Sequence, residues 1–217
     1  RSAAGAIALT GDGIGMSAGA DIQAAGRASL ASGGDIRLGH VASALAAPAG
    51  AASIVITAAG SILSNGDAGT LLDASGTGGA IALQAGVNLG STTAALTFAA
   101  PRLSARSLAG DIHLATSGAT HVTSLVSNAG AATLVAGGNL TIDAATIAGH
   151  AEISTTAGAL DIAALTAGAS SVLSASGAVT LGDTAMTAGD LAITSTDANL
   201  SLAGLDVAGN LTLTAAT

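Results

Sequence analysis

AGDLAITSTDANLSLAGLDVAGNLTLTA, residues Ala188 to Ala215, carries one five-residue phrase twice, GDLAI from Gly189 and GNLTL from Gly209, with a near copy, ANLSL from Ala198, between them. The third and fifth residues of each copy are Leu or Ile, and the second and fourth are Asp, Asn, Thr, Ser or Ala. Side chains alternate across a strand, so this pattern is that of a strand with one buried face, whereas a helix would need apolar residues at a period of 3.6. The stretch from Gly189 to Gly209 is one turn of a larger unit. A fixed period near 20 marks coils that stack on one another, because a single such unit cannot bury its own apolar face.

The phrase extends backwards along the chain. It reads GDIHL from Gly110, GAATL from Gly130, GHAEI from Gly149 and GASSV from Gly168, and the steps onward to Gly189 and Gly209 are nearly even. A second phrase keeps step with it: GATHV from Gly118, GNLTI from Gly138, GALDI from Gly158, GAVTL from Gly177 and ANLSL from Ala198. All third and fifth positions are apolar except Ser170 and Thr120. The expected core ladders are therefore Ile112, Leu114, Leu140, Ile142, Leu160, Ile162, Val179, Leu181, Leu191, Ile193, Leu200, Leu202, Leu211 and Leu213. A shorter third segment follows, with inward candidates Leu125, Ala145, Ile147, Leu165, Met186, Leu205 and Val207. Three strands per coil predict a triangular cross-section, with the phrase glycines at corners where positive φ or close backbone approach is needed. Stacked at ~4.8 Å, the coils from Ala109 to Thr217 would span ~25 Å.

The first half uses the same words in looser metre. GAIAL at Gly5, GDIRL at Gly34, GSIL at Gly60, GAIAL at Gly79 and ALTF at Ala95 are strand-like, but the uneven steps between them suggest longer, irregular coils. The expected organisation is one continuous all-β parallel β-helix (β-solenoid): residues 1–108 as irregular coils with protruding loops, and residues 109–217 as regular coils of about 20 residues. Val41 to Ala52 and Ser64 to Gly79 are the expected protrusions, since Pro48 and clustered Gly, Asn and Asp fall there. Arg1 leads directly into GAIAL, so no signal peptide is expected in this stretch. Both ends read as coil interiors, which suggests a segment of something longer or a unit that stacks end to end.

Composition agrees with a thin solenoid. Apolar residues make up 50% of the chain, yet Phe98 is the sole aromatic, so the interior must be narrow enough for Ala, Val, Leu and Ile to fill it. The uncharged run from Leu45 to Leu63 is broken by Pro48, Gly50, Ser53, Gly60 and Ser61, which argues against a membrane-spanning helix. Cysteine is absent, which suits a polypeptide exported unfolded. The formal net charge is −8 and there is no lysine; Arg1, Arg27, Arg37, Arg102 and Arg106 all precede residue 107. An acidic, lysine-free surface repels phosphate, so a nucleic-acid partner is set aside.

These phrases resemble the stalk repeats of filamentous-haemagglutinin-like exoproteins of two-partner secretion. The residues from Ala188 to Ala215 resemble the regular stalk coils, and AAGSILSNGDAGTLLDASGTGGAIALQAGVNLGS, Ala58 to Ser91, resembles the family's irregular coils. The resemblance implies a right-handed parallel β-helix at the bacterial cell surface, exported through an outer-membrane secretion pore and facing a host or neighbouring cell. No residue here corresponds to the family's secretion domain or effector regions.

Candidate chemistry is sparse. His150 and Glu152 share one outward face, and Asp111 and His113 do the same two coils away, ~9.6 Å apart and out of reach of one ion bound at ~2.0 to 2.2 Å. A solvated polar face is the simpler reading. Asp143, Asp161, Asp183, Asp190, Asp197 and Asp206 raise the question of calcium, although the calcium-solenoid pattern is missing and GDGIGMSAGAD at Gly11 has the wrong order. No nucleophile elbow or phosphate-binding lysine loop occurs. The sequons at Asn139, Asn199 and Asn210 fall inside the phrase and read as asparagine ladders, and the threonine pair Thr212 and Thr214 does not recur as a lattice. The expectation is a non-enzymatic rod with no cofactor, catalytic or metal residue assigned, and with any binding surface between Val41 and Gly79. A self-stacking filament is the alternative, and a calcium-dependent adhesin or polysaccharide-acting β-helix enzyme is third.

Overall fold

The computed structural model describes residues 5–45, 51–76 and 78–216. These form an all-β solenoid of about ten turns. The first three coils hold β1 (Ile7–Gly11), β2 (Ile14–Gly15), β3 (Asp21–Ala24); β4 (Ala28–Ser32), β5 (Ile36–Leu38), β6 (His40–Ser43); and β7 (Ile54–Ala58), β8 (Ile62–Ser64), β9 (Leu72–Asp73). Coils four to six hold β10 (Ala80–Ala85), β11 (Leu96–Ala99); β12 (Arg102–Ser107), β13 (Ile112–Thr116); and β14 (Thr120–Ser127), β15 (Ala132–Ala136). Coils seven to ten hold β16 (Leu140–Ile142), β17 (Ala145–Ile147), β18 (Ala151–Thr155); β19 (Leu160–Ala167), β20 (Ser171–Ala175); β21 (Val179–Met186), β22 (Leu191–Ser195); and β23 (Leu200–Leu202), β24 (Leu205–Val207), β25 (Leu211–Ala215). No helix among the described residues is long and apolar enough to cross a membrane.

The first strand of every coil joins one 12-stranded parallel sheet, called here sheet 1, and the last strand joins a 10-stranded parallel sheet, sheet 2. A short sheet, β2-β5-β8, makes a third side low in the stack. That side continues through Leu89, which bridges Ile62 below and Ile112 above, and there it merges with sheet 2, because Leu114 of the same strand pairs with Leu96 of β11. In the regular coils a bend still separates the second and third phrase segments, since the buried alternation of β14, β19 and β21 is interrupted by two consecutive outward residues, Thr123 and Ser124, Ala163 and Ala164, Gly182 and Asp183. Above coil five the second and third phrase segments fuse into single eight-residue strands, β14, β19 and β21, and stay split only as β16/β17 and β23/β24.

Register in sheet 1 gives the true coil lengths. The partners follow one another as Ile7, Ala28, Ile54, Ile81, Leu103, Val122, Ile142, Ile162, Leu181 and Leu202. Only the coils that begin at Ala28 and Ile54 are markedly longer than the common metre. The uneven spacings of the first half come from chaining strands of different sides: Gly5 and Gly79 lead into sheet 1, Gly34 and Gly60 into the short sheet, and Ala95 into sheet 2. The phrase at Gly168 is also corrected. Ser171 and Leu173 are the buried pair and Val172 is 42% exposed, so Ser170 and Val172 do not face inward. The corner residue is Ala169, midway between Gly149 and Gly189, and the neighbouring glycine sets the apparent register one residue early.

The core is a set of aliphatic ladders. Ile112, Leu114, Leu140, Ile142, Leu160, Ile162, Val179, Leu181, Leu191 and Ile193 are each at most 1% exposed. Each buried side chain of this size contributes about 1.5 to 3 kcal/mol. Leu200 and Leu202 are only half-buried, and Leu211 and Leu213 are 42% and 46% exposed, because no described strand stacks on coil ten.

Candidate functional site

Most phrase glycines lie tight against the neighbouring coil, whereas Gly118 faces open space. At the corner leading into sheet 2, the side chains of Asn88, Asp111, Ser170 and Asp190 point up the stack and accept a hydrogen bond from the backbone of the next coil; Asp111 and Asp190 directly follow a phrase glycine, whereas Ser170 follows Ala169. Asp111 N–H donates to Asn88 Oδ1 at 2.8 Å, Ala131 N–H to Asp111 Oδ1 at 2.8 Å, Asp190 N–H to Ser170 Oγ at 3.1 Å and Asn210 N–H to Asp190 Oδ1 at 2.7 Å. Asn139 does the same for Ala159 N–H at 2.9 Å at the corner leading into sheet 1. A Cβ on Gly110 would lie 2.1 Å from Asn88 Oδ1, and one on Gly130 would lie 2.4 Å from Asp111 Oδ1 and 2.5 Å from the Gly110 carbonyl oxygen. Glycine is therefore required by close approach. Buried hydroxyls pin the same turns: Ser127 Oγ donates to Gly110 O at 3.0 Å and accepts from Gly130 N–H at 3.1 Å, and Ser195 Oγ donates to Gly177 O at 2.8 Å. No buried side-chain polar atom among the described residues lacks a partner. Such satisfaction matters, since each orphaned buried group costs about 1 to 3 kcal/mol.

The segment from Ser64 to Gly79 does not protrude as one piece. Leu71, Leu72 and Ala74 return to the core, while residues 65–70 form a strap that runs down the side of the stack. Asn65 Nδ2 donates to Ser17 O at 3.1 Å and to Asp67 Oδ2 at 2.9 Å, and Gly19 N–H donates to Asp67 Oδ2 at 3.0 Å. The strap thus leaves coil three and fastens to coil one across coil two. Coil two presents Gly39 beneath it, where a Cβ would stand 2.5 Å from Ala20 O and 3.2 Å from Asn65 Nδ2. Of the other expected protrusion, Val41 to Ser43 belong to β6 with Val41 fully buried, and residues 46–50 lie outside the described residues.

The outward face of sheet 1 is divided in charge. Three side-chain columns run along it: Ala80, Arg102, His121, Thr141, Asp161, Thr180; then Val55, Ala82, Ser104, Ser124; then Thr57, Gln84, Arg106, Val126, Thr146, Thr166, Ala185, Asp206. A register shift between Leu103 and Ser104 dents this face, and Ala82, Ser104 and Ser124 floor a depression of about 270 Å³ bordered by Gln84 and Arg106. A second depression, about 160 Å³, adjoins it beside Arg102 and Thr123. From β1 to β14 this face carries Arg102, Arg106 and His121 and no carboxylate; from β16 upward it carries Asp143, Asp161, Asp183 and Asp206 and no base.

The histidines are paired locally. His121 Nε2 lies 2.7 Å from Asp143 Oδ1, His40 Nδ1 lies 2.8 Å from Asp21 Oδ1, and His150 bonds the Ser170 carbonyl oxygen. His113 and Glu152 occupy one outward column two coils apart, with Thr133 between them. No three His, Asp or Glu side chains among the described residues come within range of a common metal ion. The asparagine of the Asn139 sequon stands in the inter-coil ladder, and Asn210 Nδ2 donates to Asp190 Oδ1 at 3.1 Å. Hydroxyls do recur in one sheet 2 column, Ser154, Ser174, Thr194 and Thr214, which the alternation of single phrases hides. The dented charged face is also missed by sequence reasoning, where its trace is the confinement of every arginine to positions up to 106. Set against known proteins, the chain matches no family model, no curated sequence and no solved structure.

Proposed function

We propose that this chain is a structural rod segment of a secreted bacterial surface exoprotein of the filamentous-haemagglutinin type, non-enzymatic, exported through an outer-membrane pore and holding other parts of its protein at a distance from the cell. The observation that carries this reading is the continuity of sheets 1 and 2 through all ten coils. Parallel pairing at ~4.8 Å per coil makes nine steps a column of ~43 Å. Aliphatic ladders fill its interior and corner bonds tie each coil to the next, so tension along the axis must break a whole coil's hydrogen bonds together. Pulling the ends in a force spectrometer tests it. Coils should peel in discrete steps, each releasing ~70 Å of chain. Smooth extension at low force would refute a mechanical role.

A further inference from the structure

We infer that the outward face of sheet 1 is a self-recognition surface, on which two copies of this chain lie side by side with their axes antiparallel. The basic half of the face centres on coil five, where Arg102 and Arg106 flank Ser104 on the floor of the dent, and the acidic half centres on coils eight and nine, with Asp161 and Asp183 exposed. Among the described residues Arg106, Asp161 and Asp183 form no ion pair within their own chain.

Face-to-face pairing by a two-fold axis along the strand direction keeps each side-chain column opposite itself and reverses the order of the coils. With the axis at coil seven, coil five meets coil nine and coil six meets coil eight. Asp183 pairs in register with Ala164, and Ala164 lies one residue before Leu165, which heads the chain of partners Ala145 and Leu125; Asp183 therefore stands in the column of Ser124 and Ser104. Across the axis it enters the partner copy's dent between Arg102 and Arg106. His121 and Asp161, both in the first column, meet in the same way. Every contact occurs twice by symmetry. At the axis the face carries Thr141, Ala144 and Thr146, small enough for two sheets to approach closely, and Asp143, whose carboxylate is held 2.7 Å from His121 of its own chain.

The area is sufficient. Sheet 1 strands of six residues in β10 and β12 and of eight in β14, β19 and β21 make the face ~20 to 26 Å wide, and coils four to ten make the overlap ~29 Å long, so about 580 to 750 Å² is covered per copy and ~1,200 to 1,500 Å² in total, within the ~1,200 to 2,000 Å² of stable interfaces. An extended peptide could not add to this surface by strand pairing along β10 to β21, because these strands are interior to the sheet and already bonded on both sides.

The test is the association state of the 217-residue chain by analytical ultracentrifugation and small-angle scattering. The expected result is a dimer at low ionic strength with the length of one copy and a doubled cross-section, dissociating in about 1 M salt, where charges are screened beyond ~3 Å. Asp183→Arg should be monomeric, and so should the double variant Arg102→Asp with Arg106→Asp, both with unchanged circular dichroism. Mixing these two variants should restore the dimer, since each then offers the charge the other lacks. A chain monomeric at low salt, a dimer of doubled length, unmixed variants that still dimerise, or binding of polyglutamate to the dent without dimerisation would each overturn the inference. Should the arginine double variant fail to fold, Asp183→Arg and the salt titration of the unaltered chain still decide it.

Discussion

Replacing Gly130 with alanine isolates the feature on which the stack is built. The new Cβ would lie 2.4 Å from Asp111 Oδ1 and 2.5 Å from both the carbonyl carbon and oxygen of Gly110, so the two coils must part at this corner. Overpacking of this kind costs about 1 to 3 kcal/mol, and weakening the bond from Ala131 N–H to Asp111 adds about 0.5 to 1.5 kcal/mol. Gly118 is the control, since a Cβ there meets nothing within 4 Å and neither glycine has a positive φ. Gly118→Ala should therefore stabilise by about 0.4 to 1 kcal/mol through the unfolded chain. In thermal unfolding followed by circular dichroism, Gly130→Ala should lower Tm by about 3 to 18 °C at ~2 to 4 °C per kcal/mol, while Gly118→Ala leaves Tm level or raises it. Adding Asp111→Gly to Gly130→Ala should not restore Tm, because the Gly110 carbonyl still blocks the site. Equal Tm values for the two alanine variants would refute the claim that close approach of the coil below requires glycine at 130.

Leu160→Asp should abolish the cooperative melt, since a carboxylate buried between Leu140 and Val179 costs several kcal/mol, whereas Leu213→Asp, at a side chain 46% exposed, should cost about 1 kcal/mol or less; equal losses by thermal melting would sink the register. Asn65→Asp sets a carboxylate against the Ser17 carbonyl and Asp67, so the strap should detach and proteolysis within residues 65–70 should accelerate with unchanged far-ultraviolet circular dichroism; an unchanged cleavage rate would show that the strap is held by other contacts.

Much of the second half is legible in the sequence. Alternation at a period of two places Ile112, Leu114, Leu160 and Ile162 inside because a strand has only two faces, and the even metre of the phrase glycines places successive strands above one another. Legibility fails where a symbol has two meanings. The glycine at 168 looks like a corner because corners elsewhere are glycine, but Ala169 holds that position, and the side chain after it, Ser170 rather than Asp or Asn, still serves the ladder. In the first half, strands of three different sides share one vocabulary, so their spacings mix coil length with the distance between sides. The strap of residues 65–70 leaves only a signal of turn residues, because its partners, Ser17 and Gly19, lie far back along the chain on a coil that is not its neighbour.

The sequence by itself determined that this chain coils, how long most of the later coils are and which side chains fill them, since these depend on local periodicity and on burial of one strand face. Tertiary structure alone decided that the second and third phrase segments join one sheet, that the strap skips a coil, and that Arg106 borders a dent floored by Ser104, in the same column as Asp183. The physical reason is register: which residues become neighbours across coils depends on hydrogen-bond pairing between strands a whole coil apart in sequence, and a shift of one residue exchanges inside for outside without changing the composition of either.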